Sequence, residues 1–554
     1  MSGFRSSRER RWKYEVSELF DERMNLLLKG YVSIILHAHL PYVHHPEHEH
    51  YLEERWLFEA ISESYLPILN AFDALSSEKI DFRMTMSITP TLMTMLTDPL
   101  LQSRYIHYVN NLIELSSKEM ERTKNHSEAY RLAFMYNTKY KNDLYIFREK
   151  YSCNLIQAFR DLQASGQLEI IASAATHGFL PLLSIPEESL KAQISIGVSS
   201  YEKHFGQKPK GMWLPECGYA PAVEAALKEN GLEYFIMESH GLLFATPRPV
   251  YGTFAPIVTP KGIVAFGRDM ESSKQVWSSK EGYPGDFDYR EFYRDIGYDL
   301  DFEYIKDYIA SDGQRINTGI KYYKITGRTE NKQLYDPDRA REKAEIHAGN
   351  FIFNREKQIE YLSTQMDTPP IVVCPYDAEL FGHWWYEGPH WLYSLIKKAG
   401  TVQNTFKLIT PSEYIAENPI MQLSSPCSST WGYKGYNEMW LNPANDWIYK
   451  YLHKSAVKMV ELANENRSST GLRKEALNQA ARELLLAQSS DWAFIMKTGT
   501  MAQYAEKRTN DHISRFNRLY HDIKENSIDE EWLKTIRHMD DIFPEMDYSI
   551  YASG

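Results

Sequence analysis

Cysteine is scarce: four residues in 554, at positions 153, 217, 374 and 427, none in CxxC spacing. That excludes a disulfide framework or a zinc knuckle and predicts a reducing compartment. No run of about 18 apolar residues occurs, so no membrane-spanning helix is expected. The opening residues, Met-Ser-Gly-Phe-Arg-Ser-Ser-Arg-Glu-Arg-Arg, lack the apolar stretch of a secretory signal. A cytoplasmic protein is the expectation. Basic patches are missing too. Lys and Arg number 62 against 74 Asp and Glu, a net charge of −12 that argues against nucleic acid and membrane surfaces as partners. There is no Gly-rich phosphate loop, no GxSxG elbow and no internal repeat, so Ser-His-Asp chemistry has no support.

What the chain does have is length and aromatic rings. Its size suffices for about two to four domains and a large core. Aromatics reach 13%, with 38 Tyr and 12 Trp, many beside polar motifs. Flat rings fill cores, and they also stack on sugar faces.

The strongest local pattern is an apolar run that stops at a carboxylate. Gly211-Met212-Trp213-Leu214-Pro215 delivers Glu216, and Cys217-Gly218-Tyr219 turns the chain away. Ile371-Val372-Val373-Cys374-Pro375-Tyr376 delivers Asp377 in the same manner, followed by Ala378-Glu379-Leu380-Phe381-Gly382-His383-Trp384-Trp385. A barrel strand presents a catalytic group at its C-terminal mouth in this way. Two carboxylates on separate strand ends, both edged by aromatics, point to sugar chemistry.

Further runs share the pattern. Residues 31–36 end at His37-Ala38-His39-Leu40-Pro41-Tyr42, and the period of a strand sends His37 and His39 to one face. Paired histidines bind either a metal or sugar hydroxyls; no third metal ligand stands nearby, and sugar contacts are favoured. His44, His45, His48 and His50 read as a solvent loop. Runs at 83–88, 168–173 (ending near Thr176-His177-Gly178), 233–238, 263–266 (leading to Arg268-Asp269) and 407–409 bring the strand candidates to eight. Helical stretches separate several of them, at 190–203 and 221–230 among others. That alternation predicts a parallel α/β sheet closed as a barrel. Residues 98–165 read as a helical insertion on one barrel loop. Residues 270–300, with Trp277, read as a Gly- and Pro-containing loop or lid. Residues 428–447 carry Trp431, Trp440 and Trp447 in a Gly-containing loop, where ligand-facing aromatics are expected. From 448 the spacing becomes helical, and Asp491 could reach the cleft from there. The division is a charged extension at 1–28, a catalytic barrel at 29–425 and a loop plus helical domain at 426–554.

Together the motifs resemble glycoside hydrolase family 57. Those that carry the likeness are His37-Ala38-His39-Leu40-Pro41-Tyr42, Thr176-His177-Gly178, Trp213-Leu214-Pro215-Glu216-Cys217-Gly218-Tyr219, Pro375 through Trp384, Trp431-Gly432 and Trp440-Leu441-Asn442-Pro443, in that order. Within the family the chain is most similar to 1,4-α-glucan branching enzymes and the related enzymes described as α-amylases. The resemblance implies an incomplete (β/α)7 barrel with a helical insertion and a C-terminal helical domain. It implies α-retaining chemistry on α-glucans without a metal or other cofactor. Glu216 matches the family nucleophile and Asp377 the general acid/base, the latter raised in pKa by burial beside Trp384 and by Glu216. His37, His39, Trp213, Arg268, Trp277, Trp431 and Trp440 match binding positions, and Asp491 joins them as a candidate. In the branching members a lid loop bearing a Tyr favours transfer over hydrolysis. Here the segment between Glu216 and Arg268 is short, and Tyr251 is its unassigned candidate. A metal-dependent hydrolase on a related barrel is the other class considered; it needs an Asp beside the paired histidines.

Overall fold

The computed structural model describes residues 28–278, 280–309 and 313–553; residues 1–27, nearly all of the charged extension, lie outside it. Ten strands form one curled sheet. They are β1 (Gly30–Ala38), β2 (Met84–Ile88), β3 (Leu168–Ser173), β4 (Gly211–Trp213), β5 (Tyr234–Met237), β6 (Ile257–Val258), β7 (Val264–Gly267), β8 (Ile371–Asp377), β9 (Phe406–Leu408) and β10 (Gln422–Leu423). The order β8-β1-β2-β3-β4-β5-β7 is parallel throughout. A backbone hydrogen bond from Asp269 N–H to the Val373 carbonyl, 2.8 Å, crosses from the end of β7 to β8. The chain is thus an incomplete seven-stranded (β/α) barrel. β6 runs antiparallel to β7 and, with β10, hems that edge. The eighth apolar run, 407–409, forms most of β9, which pairs with the lower part of β1 (Gly30↔Phe406 to Val32↔Leu408) instead of entering the ring.

Helices cover the outside of these strands, so the strands read as continuous apolar runs. All nine residues of β1 are buried. Between β2 and β3 lie Pro90–Thr97, the long antiparallel pair Pro99–Thr123 and Ser127–Tyr145, and Leu155–Ala164, which packs on β3. The Asn137 amide ties the long pair by donating to the Ile113 carbonyl and the Ser116 and Ser117 hydroxyls. The polar stretch before β8 contains a 26-residue helix, Pro337–Leu362, whose N-terminus is capped by the Asp336 carboxylate. Residues 270–277, expected in a loop, form a helix capped by Asp269 through Ser272 N–H at 2.7 Å.

Five helices follow the last strand: Trp447–Glu465, Gly471–Ala487, Ser490–Thr498, Ala502–Lys524 and Glu530–Met539. They share one apolar core with the barrel. Their docking corrects one expectation. His44 and His45 are buried, not in a solvent loop. His44 Nδ1 meets the Met539 carbonyl at 2.9 Å, and His45 Nε2 meets the Tyr504 hydroxyl at 2.9 Å. Among the described residues no helix is long and apolar enough to cross a membrane.

Candidate active site

Parallel strands end at one mouth, and the strand-end residues gather there. In the β1–β8 register His37 lies opposite Asp377, and in the β3–β4 register Ser173 lies opposite Trp213. After Trp213 the chain makes a tight turn. Glu216 and Cys217 take φ values of +61° and +48°, and His177, after β3, takes +55°. Left-handed backbone at non-glycine residues costs about 1–3 kcal/mol each and clusters at functional sites. Here the turn lifts the Glu216 carboxyl out of the strand line. The Asp377 loop needs its glycine: Gly382 has φ +115°, and a Cβ there would stand 1.6 Å from the Glu63 carbonyl.

Glu216 is held on both oxygens. Trp431 Nε1–H donates to Oε2 at 2.8 Å and the Ser490 hydroxyl donates to Oε1 at 3.0 Å. Trp431 also gives its backbone N–H to the Glu216 carbonyl at 3.1 Å. Burial pushes the Glu216 carboxyl above its ordinary pKa; the two donors and His39 oppose the rise. Asp377 differs. Its carboxyl has no hydrogen-bond partner among the described residues, and burial, Glu379 and Glu216 raise it well above the carboxylate range against the pull of Arg268. Trp384, expected beside Asp377, is itself 57% exposed, the most exposed of the described tryptophans, and stacks on Phe292 at 4.7 Å.

The histidines pack between these groups. His37 Nε2 and His177 Nε2 are 3.0 Å apart, and His177 Nδ1 lies 2.9 Å from the Ser490 hydroxyl. His37 stacks on Trp213 at 4.6 Å, and His39 stacks on His177 at 3.8 Å. His39 Nε2 pairs with Asp491 at 3.0 Å, and its Nδ1 meets the Thr89 hydroxyl at 3.0 Å. Burial alone would raise Asp491, but the charge and hydrogen bond of His39 outweigh it and hold the acid at about 2. Burial lowers His39 in turn, and Asp491 more than reverses this. Glu379 fastens the Asp377 loop to β1 by accepting from His39 N–H at 3.1 Å and the Tyr65 hydroxyl at 2.5 Å.

His39, His177 and Asp491 form the cluster best able to hold a metal at this mouth. The Asp that sequence proximity does not supply arrives from 452 residues away. The arrangement fits hydrogen bonding better than ligation. The two imidazole planes are stacked within 19°, whereas ligands of one ion aim in-plane lone pairs at a common point. Both nitrogens of each ring already have polar partners.

Arg268 forms an ion pair with Glu238 at 2.7 Å and lies 6.0 Å above the Trp431 ring. Trp277 meets the same ring edge-on at 6.0 Å. Trp213, His37, His39, Arg268, Trp277, Trp431 and Asp491 thus join one network around Glu216. Trp440 departs from its expected ligand-facing place. It is 1% exposed, stacked on Phe179 at 4.5 Å, and a Cβ on Gly432 would stand 2.6 Å from its ring, so it serves the packing under its loop. Tyr251 is remote from the mouth. Its hydroxyl bonds Asp367, just before β8 at the opposite end of the barrel, at 2.5 Å. Ser490, Glu379 and Tyr65 carry no signal as single residues. His177 stands in a quoted motif but has no role there that a lone histidine reveals.

Comparison with known proteins agrees with this layout. The glycosyl hydrolase family 57 model matches residues 33–353, and the model of the 1,4-alpha-glucan branching enzyme C-terminal region matches 451–551. The 1,4-alpha-glucan branching enzyme TK1436 of Thermococcus kodakarensis is 33% identical over 563 residues, covering 95% of this chain and 79% of that protein. The alpha-amylase AmyC of Thermotoga maritima superposes with a TM-score of 0.89 at 47% identity, over 95% of this chain and 99% of that one. The GH57-type branching enzyme of Pyrococcus horikoshii gives 0.85 at 33%, over 95% and 97%. With its motifs set on the strand ends of the same barrel, the chain belongs to glycosyl hydrolase family 57.

Proposed function

We propose that the protein is a 1,4-α-glucan branching enzyme that acts by double displacement with retention. Glu216, hydrogen-bonded on both oxygens, is the nucleophile. Asp377, unpartnered and the more strongly raised of the two, is the general acid/base. The observation that carries this assignment is the contrast between the two carboxyls at one mouth: their environments push their proton affinities apart, as acid and nucleophile require. In the first step Glu216 attacks the anomeric carbon while Asp377 protonates the glycosidic oxygen of the departing chain. In the second, Asp377 as carboxylate takes the proton of a glucan 6-hydroxyl, whose oxygen displaces Glu216 and closes an α-1,6 link. His37, His39, Trp213, Arg268, Trp277, Trp431 and Asp491 shape the donor pocket, and Trp440 supports its loop. Residues 29–425 make the catalytic unit and 426–554 seal it. The substrate is a linear α-1,4-glucan, met in the cytoplasm.

A second reading has its own support. No tyrosine in the short segment between Glu216 and Arg268 stands over the mouth: Tyr219 and Tyr234 are buried, and Tyr251 is tied to Asp367. Without such a tyrosine, water competes with the acceptor, and hydrolysis as in an α-amylase gains. Incubation with amylose separates the two. New α-1,6 linkages with few new reducing ends support branching; reducing ends without α-1,6 linkages establish the amylase reading instead.

A further inference from the structure

We propose that Ser490, carried into the mouth by the C-terminal helices, is a positioning residue for Glu216, the last link of a one-directional hydrogen-bond chain running His37 to His177 to Ser490 to Glu216. The inference rests on the reading of Glu216 as nucleophile.

The direction follows from counting protons. The Ser490 hydroxyl lies 3.0 Å from Glu216 Oε1 and 2.9 Å from His177 Nδ1, and it has one proton. An ionised carboxylate only accepts, so the hydroxyl donates to Glu216 and accepts from His177 Nδ1–H. His177 is 2% exposed, and burial together with the charge of His39 drives its pKa well below 6.5, so it is neutral. Its single proton is then on Nδ1, and its Nε2 accepts. The donor to Nε2, at 3.0 Å, is His37 Nε2–H. His37 is also neutral, and its bare Nδ1 is the one chain atom that is buried with no partner.

The opposite polarity is worse at both ends. It would turn the hydroxyl lone pair toward the carboxylate, and it would strand a buried N–H at His37. A stranded buried acceptor is costly, and the chain keeps that cost at the end far from Glu216. Stacking of His37 on Trp213 and of His177 on His39 fixes the ring planes that the chain needs. The groups that face Glu216 with charge are Asp491 from the same helix as Ser490, His39 from the end of β1, and Asp377 from β8. Asp491 and His39 pair with each other, which leaves the Ser490 donor as a local, directed influence on Oε1.

The test uses the full-length enzyme and the pH profile of kcat/KM on amylose, whose acid limb reports protonation of Glu216 in the free enzyme. Ser490→Ala is expected to lower kcat about ten- to hundredfold, the rate equivalent of one hydrogen bond to a charged group, and to move the acid limb to higher pH. Ser490→Thr, which keeps the hydroxyl, is expected to restore both. His177→Asn, whose amide N–H replaces the Nδ1 donor, is expected to keep the acid limb, and His177→Ala to move it; these two serve if Ser490→Ala does not fold. An acid limb that stays in place in Ser490→Ala and His177→Ala, with or without a fall in kcat, overturns the proposal. Glu216→Gln separates this from the underlying reading. If it still turns over amylose, the nucleophile assignment falls; if it is inactive while Ser490→Ala keeps its rate and acid limb, only the positioning role falls.

Discussion

The two walls of the mouth handle a carboxyl in opposite ways. The β4 wall surrounds Glu216 with donors: an indole N–H on one oxygen and a serine hydroxyl on the other, backed by two neutral histidines. Among the described residues the β8 wall gives Asp377 no donor; it adds Glu379 beside it, and Glu216 of the opposite wall also acts on its charge. Both groups are partly buried, and both are raised, but the second has no hydrogen-bond donor among the described residues and only the charge of Arg268 opposes its rise. Burial therefore makes both protons easier to hold, and hydrogen bonding decides which carboxyl gives its proton up first.

The largest expected effect is the loss of either acid. Glu216→Gln should reduce turnover of amylose and of an α-maltosyl fluoride alike, by roughly 10⁴- to 10⁶-fold. Asp377→Asn should cost about 10²- to 10⁴-fold on amylose. It should spare the first step with the fluoride, which leaves without a proton, so that a burst of fluoride appears. Equal losses on both substrates in Asp377→Asn would erase the division of labour between the walls.

The next effect concerns two of the three tryptophans of residues 428–447, Trp440 and Trp431. Trp440 is wholly packed, so Trp440→Ala should lower stability by about 3–5 kcal/mol, read as the denaturation midpoint. Trp431→Phe keeps the ring but removes the N–H from Glu216. It should leave the midpoint nearly unchanged, lower kcat and raise the pH of the acid limb. Had both residues faced substrate, both substitutions would act on KM.

A smaller effect ties the walls to the helical region. Asp491 titrates at about 2 when folded, against about 3.9 when unfolded. A depressed carboxyl contributes stability that is complete above its unfolded value and is lost as pH falls through the folded one. Asp491 should thus contribute about 2–3 kcal/mol at neutral pH, vanishing between roughly pH 4 and 2. His39, raised by Asp491, acts in the opposite sense: its share is complete below about pH 6.5 and is lost as pH rises through its folded value. Comparing the acid denaturation of wild type and Asp491→Asn measures the first share; parallel curves at every pH would refute it.

The fold was largely legible in the sequence because each ring strand is a short apolar run that stops at a polar motif, as at Trp213-Leu214-Pro215-Glu216 and Val373-Cys374-Pro375-Tyr376-Asp377. The long-range partners were not. Ser490 reaches Glu216 across 274 residues, and nothing in a helix-forming stretch marks one serine as different from its neighbours. His44 and His45 look like loop residues until Met539 and Tyr504 cover them. Trp440 and Trp431 sit in one aromatic loop, and only the packing of Phe179 tells the buried ring from the one that holds Glu216. β6 and β10, two residues each, are too short for any period to register.

Arg268 offers the finest adjustment of the contrast between the walls. Among the described residues it is the one cation that pulls the Asp377 carboxyl down, against burial and two neighbouring acids that push it up. It is itself paired to Glu238 at 2.7 Å, so only part of its charge is felt at Asp377. Arg268→Gln should therefore raise the Asp377 pKa further. Because the first step needs Asp377 protonated, activity is lost as pH rises through that value, and the alkaline limb of kcat/KM should move to higher pH. The acid limb, set by Glu216 and its donors, should hardly move. A downward shift of the alkaline limb would mean that Arg268 acts on Asp377 by shaping the loop and not by its charge. A matching shift of both limbs would mean that the two carboxyls titrate as one coupled pair, and the two walls would then have to be treated as a single site.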